Sequence, residues 1–131
     1  MSATPRLYTA EHVWLLPAAD GSSARVGITA HLPEALGQVL LVQLPWLGQQ
    51  LRRGAAACVI ESSKAAFDLL APADGAITAV NEALHTQPQL LASDPLGAGW
   101  IFAMRLTAPQ QLGELLDETA YQQHICSGAN I

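Results

Sequence analysis

Apolar residues fall into short runs along most of the chain, and turn-forming residues separate the runs at intervals of roughly eight to twelve positions. This spacing is typical of a β-sandwich or barrel built from short strands. One run, residues 39–44, is almost continuously apolar, so we expect it to be buried on both faces. The strand candidates are 7–8, 13–16, 25–29, 39–44, 56–60, 67–71, 76–80 and 100–106.

Two segments are predicted to be helical. Thr29 can cap a brief helix near residues 30–36, which Gly37 would end. A second helix is expected near residues 109–123, where Pro109 stands in the first turn. Its narrow apolar stripe consists of Leu112, Leu115, Leu116 and Thr119.

Composition and charge exclude several classes of function. Half of the residues are apolar and no linker interrupts them, so residues 1–131 are predicted to form one domain. No apolar run approaches the roughly 18 residues that span a bilayer, and membrane association is not expected. The net charge of −5 and the scattered arginines make nucleic acid an unsuitable partner. Because Cys58 and Cys126 define no disulfide framework and the N-terminus lacks a secretory signal, we expect a cytoplasmic protein.

Residue types that serve catalysis or metal binding are present but not grouped. The serines lack a nucleophile-elbow context, and the loop at 94–99 lacks the Lys-Ser/Thr pair of phosphate-binding loops. We therefore predict no catalytic residue and no metal site, and do not expect an enzyme. The four histidines, far apart in the sequence, are His12, His31, His85 and His124.

Lys64 is the only lysine in the chain, and it lies between two strand candidates. It should therefore stand near the tip of a hairpin, where its amine is accessible and an attached arm would sweep the largest volume. Most lysines at turns are ordinary surface charges, but the absence of any other lysine favours a specific role. The neighbours expected to take part in recognition by a modifying enzyme are Glu61, Ser62, Ser63, Ala65 and Asp68.

Residues 61–68, followed by 71–75 and 80–84, resemble the lipoyl-lysine segment of the H protein of the glycine cleavage system. The resemblance extends over about residues 7–125, which we take as the core of the domain. It implies a mainly β, lipoyl-domain-like barrel-sandwich hybrid of two antiparallel sheets. The other stretches that resemble the family, in order, are 8–14, 26–29, 44–48, 94–100 and 115–121.

The resemblance also implies a carrier function. Lipoate would be joined to Lys64 through an amide bond by lipoyl-attaching enzymes. In the family, glycine decarboxylase loads the lipoyl arm with an aminomethyl group, aminomethyltransferase unloads it, and dihydrolipoamide dehydrogenase reoxidises the dithiol. The chemistry would belong to the cofactor and these partner enzymes. A monomer would suit such a shuttling carrier.

The chain departs from the family's pattern near its start. There the family typically has glutamate between a histidine and a tryptophan, and that carboxylate helps to hold the charged aminomethyl arm; this chain has Val13. Valine cannot pair with an ammonium group, whereas Asp68, at another arm-contacting position, is retained. The candidate arm-docking residues are Glu11, Val13 and Asp68.

A second departure lies between residues 37 and 48, where the family tends to carry acids and this chain has Gln38, Gln43 and Trp46. We expect Trp46 to anchor the core, and the alternative is an exposed aromatic that contacts a partner. These differences leave open an H-like paralogue that relays lipoyl groups or serves another lipoate-dependent pathway. An unmodified interaction domain is a further alternative. A biotin carrier would have methionine on both sides of the lysine, where this chain has Ser63 and Ala65.

Overall fold

A computed structural model describes residues 6–18, 21–29 and 38–126. The helix expected near 30–36 lies outside these ranges. Within them, nine strands form two antiparallel sheets, which confirms the predicted mainly β fold. The strands are β1 (Leu7–Tyr8), β2 (Val13–Pro17), β3 (Ser23–Ile28), β4 (Val39–Gln43), β5 (Gln50–Leu51), β6 (Ala56–Ser62), β7 (Ala66–Leu70), β8 (Gly75–Val80) and β9 (Phe102–Leu106).

The larger sheet has the order β1-β2-β3-β9-β8-β5, and the smaller has the order β4-β6-β7. Apolar side chains from both sheets form the main core cluster. Alternation along β2 divides its residues between two clusters, because successive side chains point to opposite faces of a sheet. Val13 and Leu15 enter the main core, whereas Trp14 joins a second cluster with Tyr8 and Tyr121.

Gly27 allows the Trp14 ring to lie directly on the backbone of β3. The two residues are paired across β2 and β3, and a Cβ added at position 27 would stand 2.6 Å from the ring atom Cζ2 of Trp14. Any side chain here would therefore displace the tryptophan from the second cluster.

Two short helices, α1 (Ala83–Thr86) and α2 (Leu90–Ser93), each insert one fully buried leucine into the core. No helix in the described ranges is long and apolar enough to cross a membrane.

The prediction of one continuous helix near residues 109–123 is wrong. The structure has a 3-10 helix at Pro109–Glu114 and a separate helix, α3, at Glu118–Cys126. Between them Leu115 is extended, and Leu116 exchanges two backbone hydrogen bonds with Tyr8, at 2.7 and 2.8 Å. This β-bridge to β1 satisfies backbone groups that a continuous helix would have used internally.

The expectation that residues 39–44 are buried on both faces is also wrong. Val39 and Val42 are buried, but Leu40 is 54% exposed and Leu41 is 43% exposed. Within the described residues β4 pairs only with β6, so it is an edge strand of the smaller sheet, and the outer face of that sheet remains open. A bulge at Leu40, between the pairs Val39–Ser62 and Leu41–Glu61, interrupts the alternation.

Candidate functional site

The structure places Lys64 in the tight turn between β6 and β7, as the sequence pattern predicts. Ser62 organises this turn. Its backbone N–H donates to the carbonyl of Ala65 at 2.9 Å, and its hydroxyl donates to the same carbonyl at 2.8 Å. Its Oγ also accepts the backbone N–H groups of Lys64 at 3.2 Å and Ala65 at 3.1 Å. One serine side chain therefore defines the turn and leaves the lysine side chain outside it.

A second set of contacts fastens the turn to the chain just before β4. The backbone N–H of Ser63 donates to the carbonyl of Gln38 at 2.9 Å, and the hydroxyl of Ser63 accepts the N–H of Gln38 at 3.3 Å. Ser63, Lys64 and Ala65 are all exposed. The lysine amine thus stands at the end of a hairpin that is held from two sides.

Two carboxylates lie on the outer face of the same sheet. The register pairs Glu61 with Ala66 and Val59 with Asp68, so Glu61 and Asp68 share one face as diagonal neighbours. Asp68 is exposed, whereas one oxygen of Glu61 accepts a hydrogen bond from Nε2 of Gln43 at 2.5 Å. The two carboxylates therefore make the electrostatic potential beside the hairpin negative. The hydrogen bond from Gln43 fixes the orientation of the Glu61 carboxylate.

The other candidate arm-docking residues belong to the larger sheet. Glu11 is exposed in the turn between β1 and β2. Val13, two residues later, pairs with Ile28 of β3 and is only 1% exposed. The structure therefore groups Glu61 and Asp68 with Lys64 on the smaller sheet, and it gives Val13 no free surface with which to meet an arm.

Glu11 also lines a cavity of about 310 Å³. This cavity lies between the β1–β2 turn, the C-terminal end of β7 and the 3-10 helix, with Leu70 and Leu115 among its apolar walls. An ion pair between Arg53 and Glu114 stands at the same cavity. Because Lys64 precedes the opposite, N-terminal end of β7, the cavity is remote from the lysine along the strand.

A polar network that the sequence does not reveal fastens α3 to the rest of the fold. Oη of Tyr121 lies 2.7 Å from both Nδ1 of His12 and Oγ1 of Thr29. The Tyr121 ring stacks on Tyr8, with 4.6 Å between centroids, and the Tyr8 hydroxyl donates to Glu118 at 2.7 Å. Burial, reinforced by Glu118, raises the pKa of Tyr8 to about 12.

His12 stands at a special backbone position in this network. Its φ of +70° is uncommon for a residue other than glycine, and it brings the imidazole against Tyr121. His12 therefore contributes to the attachment of α3, and the spacing of histidines in the sequence contains no signal for such a contact.

The remaining candidate chemistry is limited. No group of three His, Cys, Asp or Glu side chains in the described ranges could hold a metal ion. Cys58 is a buried free thiol, and burial raises its pKa to about 12. A thiol in this state is poorly reactive, because the thiolate is the nucleophilic form. The exposed primary amine of Lys64 is the group that an acid cofactor needs in order to form an amide bond.

Known proteins resemble this chain over nearly its whole length. The glycine cleavage H-protein family model matches residues 6–127. The glycine cleavage system H protein of Beutenbergia cavernae is 50% identical over 118 residues, which cover 90% of this chain and 91% of that protein. The one from Thermus thermophilus is 44% identical over 124 residues, 95% of each chain. A crystal structure of an H protein from Mycobacterium marinum superposes with a TM-score of 0.85 at 39% identity, covering 95% of this chain and 99% of that one. The chain belongs to the glycine cleavage H-protein family.

Proposed function

We propose that this chain is the lipoyl carrier of a glycine cleavage system and that lipoate is joined to Lys64 by an amide bond. The observation that carries the proposal is the only lysine of an H-family chain, exposed at the tip of a hairpin shaped by Ser62. Lipoate, when attached, supplies a disulfide that can accept an aminomethyl group and be restored through its dithiol form. The protein itself supplies position and recognition and has no catalytic role.

Recognition by the attaching enzyme would use the shape and charge of the hairpin. Ser62 and Ser63 hold the turn, and Ala65 adds no bulk beside the amine. Glu61 and Asp68 present carboxylates on the outer face of the same sheet. An enzyme that recognises this shape and these charges can select the lysine without binding a long peptide segment.

Once modified, the arm would visit three enzymes in turn. Glycine decarboxylase loads the aminomethyl group, aminomethyltransferase removes it, and dihydrolipoamide dehydrogenase reoxidises the dithiol. Attachment to a small domain raises the local concentration of the arm at each docked partner. Between visits, Asp68 is the exposed carboxylate on the lysine's own sheet that would contact the loaded arm, whereas Glu11 is exposed at the cavity remote from Lys64. The bacterial relatives support the expected cytoplasmic location.

The experiment is a reconstituted glycine cleavage assay with the lipoylated wild type and Lys64→Arg. The arginine keeps a positive charge at the hairpin but cannot form the amide with lipoate. We expect the wild type to support glycine oxidation, and the variant to gain no lipoyl mass and to be inactive. A wild type that acquires lipoate yet fails with all three enzymes would contradict the proposal.

The alternative is an H-like paralogue that carries lipoyl groups for another lipoate-dependent pathway. The observation in its favour is the burial of Val13 at the position where the family has an arm-holding glutamate. Transfer of the lipoyl group from this chain to a 2-oxoacid dehydrogenase, in the absence of glycine cleavage activity, would support the paralogue.

A further inference from the structure

The central strand of the smaller sheet, β6, carries Glu61 between two polar side chains of its neighbouring strands. In the register of this sheet Val59 pairs with Gln43 of β4 on one side and with Asp68 of β7 on the other. Glu61 lies two residues further along β6, so it points to the same outer face as Val59. Both polar side chains are its diagonal neighbours and lie within reach of a glutamate. The Glu61 carboxylate can therefore turn towards either neighbouring strand.

In the structure this carboxylate turns towards β4. Nε2 of Gln43 donates to Oε2 of Glu61 at 2.5 Å. The residues directly opposite Glu61 are Leu41 on β4 and Ala66 on β7, and neither has a side chain that can form a hydrogen bond. Among the described residues, Gln43 is thus the one side chain that holds the carboxylate, and the second oxygen, Oε1, is left to accept a bond from another molecule.

The direction of the Glu61 side chain keeps it away from two charged groups nearby. Asp68 has the same charge, and like charges on neighbouring strands repel each other. Lys64 has the opposite charge, but in the described part of the chain the one ion pair joins Arg53 and Glu114. Because Gln43 binds the Glu61 carboxylate, that carboxylate is neither beside Asp68 nor paired with the lysine amine.

A carboxylate held in this way suits recognition by a basic side chain of another protein. Glu61 is three residues before Lys64, on the strand that leads into the lysine turn. An exposed glutamate loses rotamer freedom when a partner binds it, and the bond from Gln43 has already restricted that freedom. An arginine or lysine can then form a charge-assisted hydrogen bond with an acceptor whose position is fixed relative to the turn.

We propose that Gln43 is a positioning residue for the attachment of lipoate: it holds the Glu61 carboxylate where a basic side chain of the lipoate-attaching enzyme binds it, while the Lys64 turn enters that enzyme's active site. This inference rests on the proposed attachment of lipoate to Lys64. It concerns one partner, the attaching enzyme, and one step, the binding of the protein before lipoate is transferred.

The test measures lipoate attachment by a lipoate ligase, with lipoate and ATP, at varied concentrations of the full chain without lipoate. Gln43→Met keeps the length of the side chain and removes the donor, and it should raise KM about three- to tenfold with kcat changed less than about twofold. In a Glu61→Gln background the same substitution should change KM less than about 1.5-fold, because Gln43 acts through Glu61. The matched control is Gln122→Met, which removes an equivalent bond to Glu118 on α3, at 3.0 Å, and should leave KM unchanged.

The exchange Gln43→Glu/Glu61→Gln separates positioning from simple support of the sheet. It preserves the net charge and allows the hydrogen bond with its roles reversed, but it moves the carboxylate to β4. We expect KM to stay raised at least about threefold, and a return to the wild-type value would overturn the proposal. An unchanged KM for Gln43→Met, with a wild type that accepts lipoate, would also overturn it and leave the carrier function intact. A wild type that gains no lipoyl mass would overturn the carrier function and this inference together.

Discussion

The burial of Val13 changes the interpretation of position 13 as an arm-docking position. A glutamate at this position would place a carboxylate in the main core without a partner, since Val13 is 1% exposed. We predict that Val13→Glu lowers the free energy of unfolding by about 3–5 kcal/mol at pH 7. Burial should raise the pKa of the new carboxyl, so the loss should shrink as the pH is lowered and the group becomes neutral. Urea denaturation at pH 7 and pH 5 measures both effects.

The matched control is Leu40→Glu, which places the same carboxylate at an exposed bulge and should cost less than about 1 kcal/mol. If Val13→Glu were as mild as this control, position 13 would reach solvent in solution. The arm-docking role of that position would then regain a physical basis.

Ser62 is predicted to control access to Lys64 through the shape of the turn. Ser62→Ala removes the acceptor for two backbone N–H groups, those of Lys64 and Ala65. We expect faster amide exchange at both residues and slower lipoylation, with global stability changed by about 1 kcal/mol or less because the turn is exposed. NMR-detected exchange and a lipoate-attachment assay measure this.

Ser63→Ala is the control for Ser62, because its hydroxyl accepts only the longer bond from Gln38, at 3.3 Å. It should leave the exchange rates of the turn amides nearly unchanged. Equal effects of the two substitutions would mean that the Ser62 hydroxyl has no special part in the turn.

At the residue scale, the sequence predicted the position of Lys64 correctly because a hairpin tip is determined by its immediate neighbours. The expectation that Trp46 anchors the core is wrong, because its side chain is 70% exposed, and the burial of Val13 was not predicted. Those properties depend on which face of a strand another part of the chain covers, and apolar residue type alone does not report it.

At the element scale, α3 is attached through a polar contact that can be removed one atom at a time. Tyr121→Phe deletes the hydroxyl shared by His12 and the buried Thr29 while keeping the ring stack on Tyr8. We predict a loss of about 1–3 kcal/mol in the free energy of unfolding, because buried polar groups lose a partner. Tyr8→Phe, which loses only a bond to the exposed Glu118, should cost less, and equal losses would contradict this account.

The contact between Tyr8 of β1 and Glu118 of α3 should make the stability of the protein depend on pH in alkali. The pKa of Tyr8 in the folded protein is about 12, against an ordinary value of 10.0. The unfolded chain releases this proton first, so the stability contributed by Tyr8 is complete below about pH 10 and is lost as the pH rises toward 12. Urea denaturation at pH 9, 10 and 11 should show a steeper decline for the wild type than for Tyr8→Phe, and parallel declines would argue against it.

Two predictions of secondary-structure elements were wrong because contacts with distant parts of the chain determine those elements. The pattern at residues 109–123 is helical by local criteria, but the bridge between Tyr8 and Leu116 interrupts it. Residues 39–44 have the composition of a strand buried on both faces, yet among the described residues β4 pairs only with β6, and Leu40 and Leu41 are exposed. The order of strands and the packing of the C-terminal helix are nonlocal properties, so periodicity does not contain them.

At the scale of the whole molecule, the two sheets have different roles. The larger sheet carries β1, whose bridge to Leu116, together with the Tyr8 and Tyr121 cluster, holds the C-terminal segments. The smaller sheet carries the lysine turn, the two carboxylates of its outer face and the exposed Leu40 and Leu41 of β4. Changes around Lys64 can therefore alter recognition while the attachment of α3 is preserved.

The final prediction uses the presence of a single lysine in the entire molecule. An amine-reactive acylating reagent can modify only Lys64 and a free α-amino terminus, since arginine does not react under these conditions. Native protein without lipoate should therefore take up one more acyl group than the lipoylated protein, because Lys64 is exposed and its amine is consumed by the amide bond. Intact mass measurement gives this difference directly, and Lys64→Arg should match the lipoylated protein in acyl groups added while lacking the mass of lipoate. Equal uptake before and after lipoate attachment would place the modification somewhere other than Lys64.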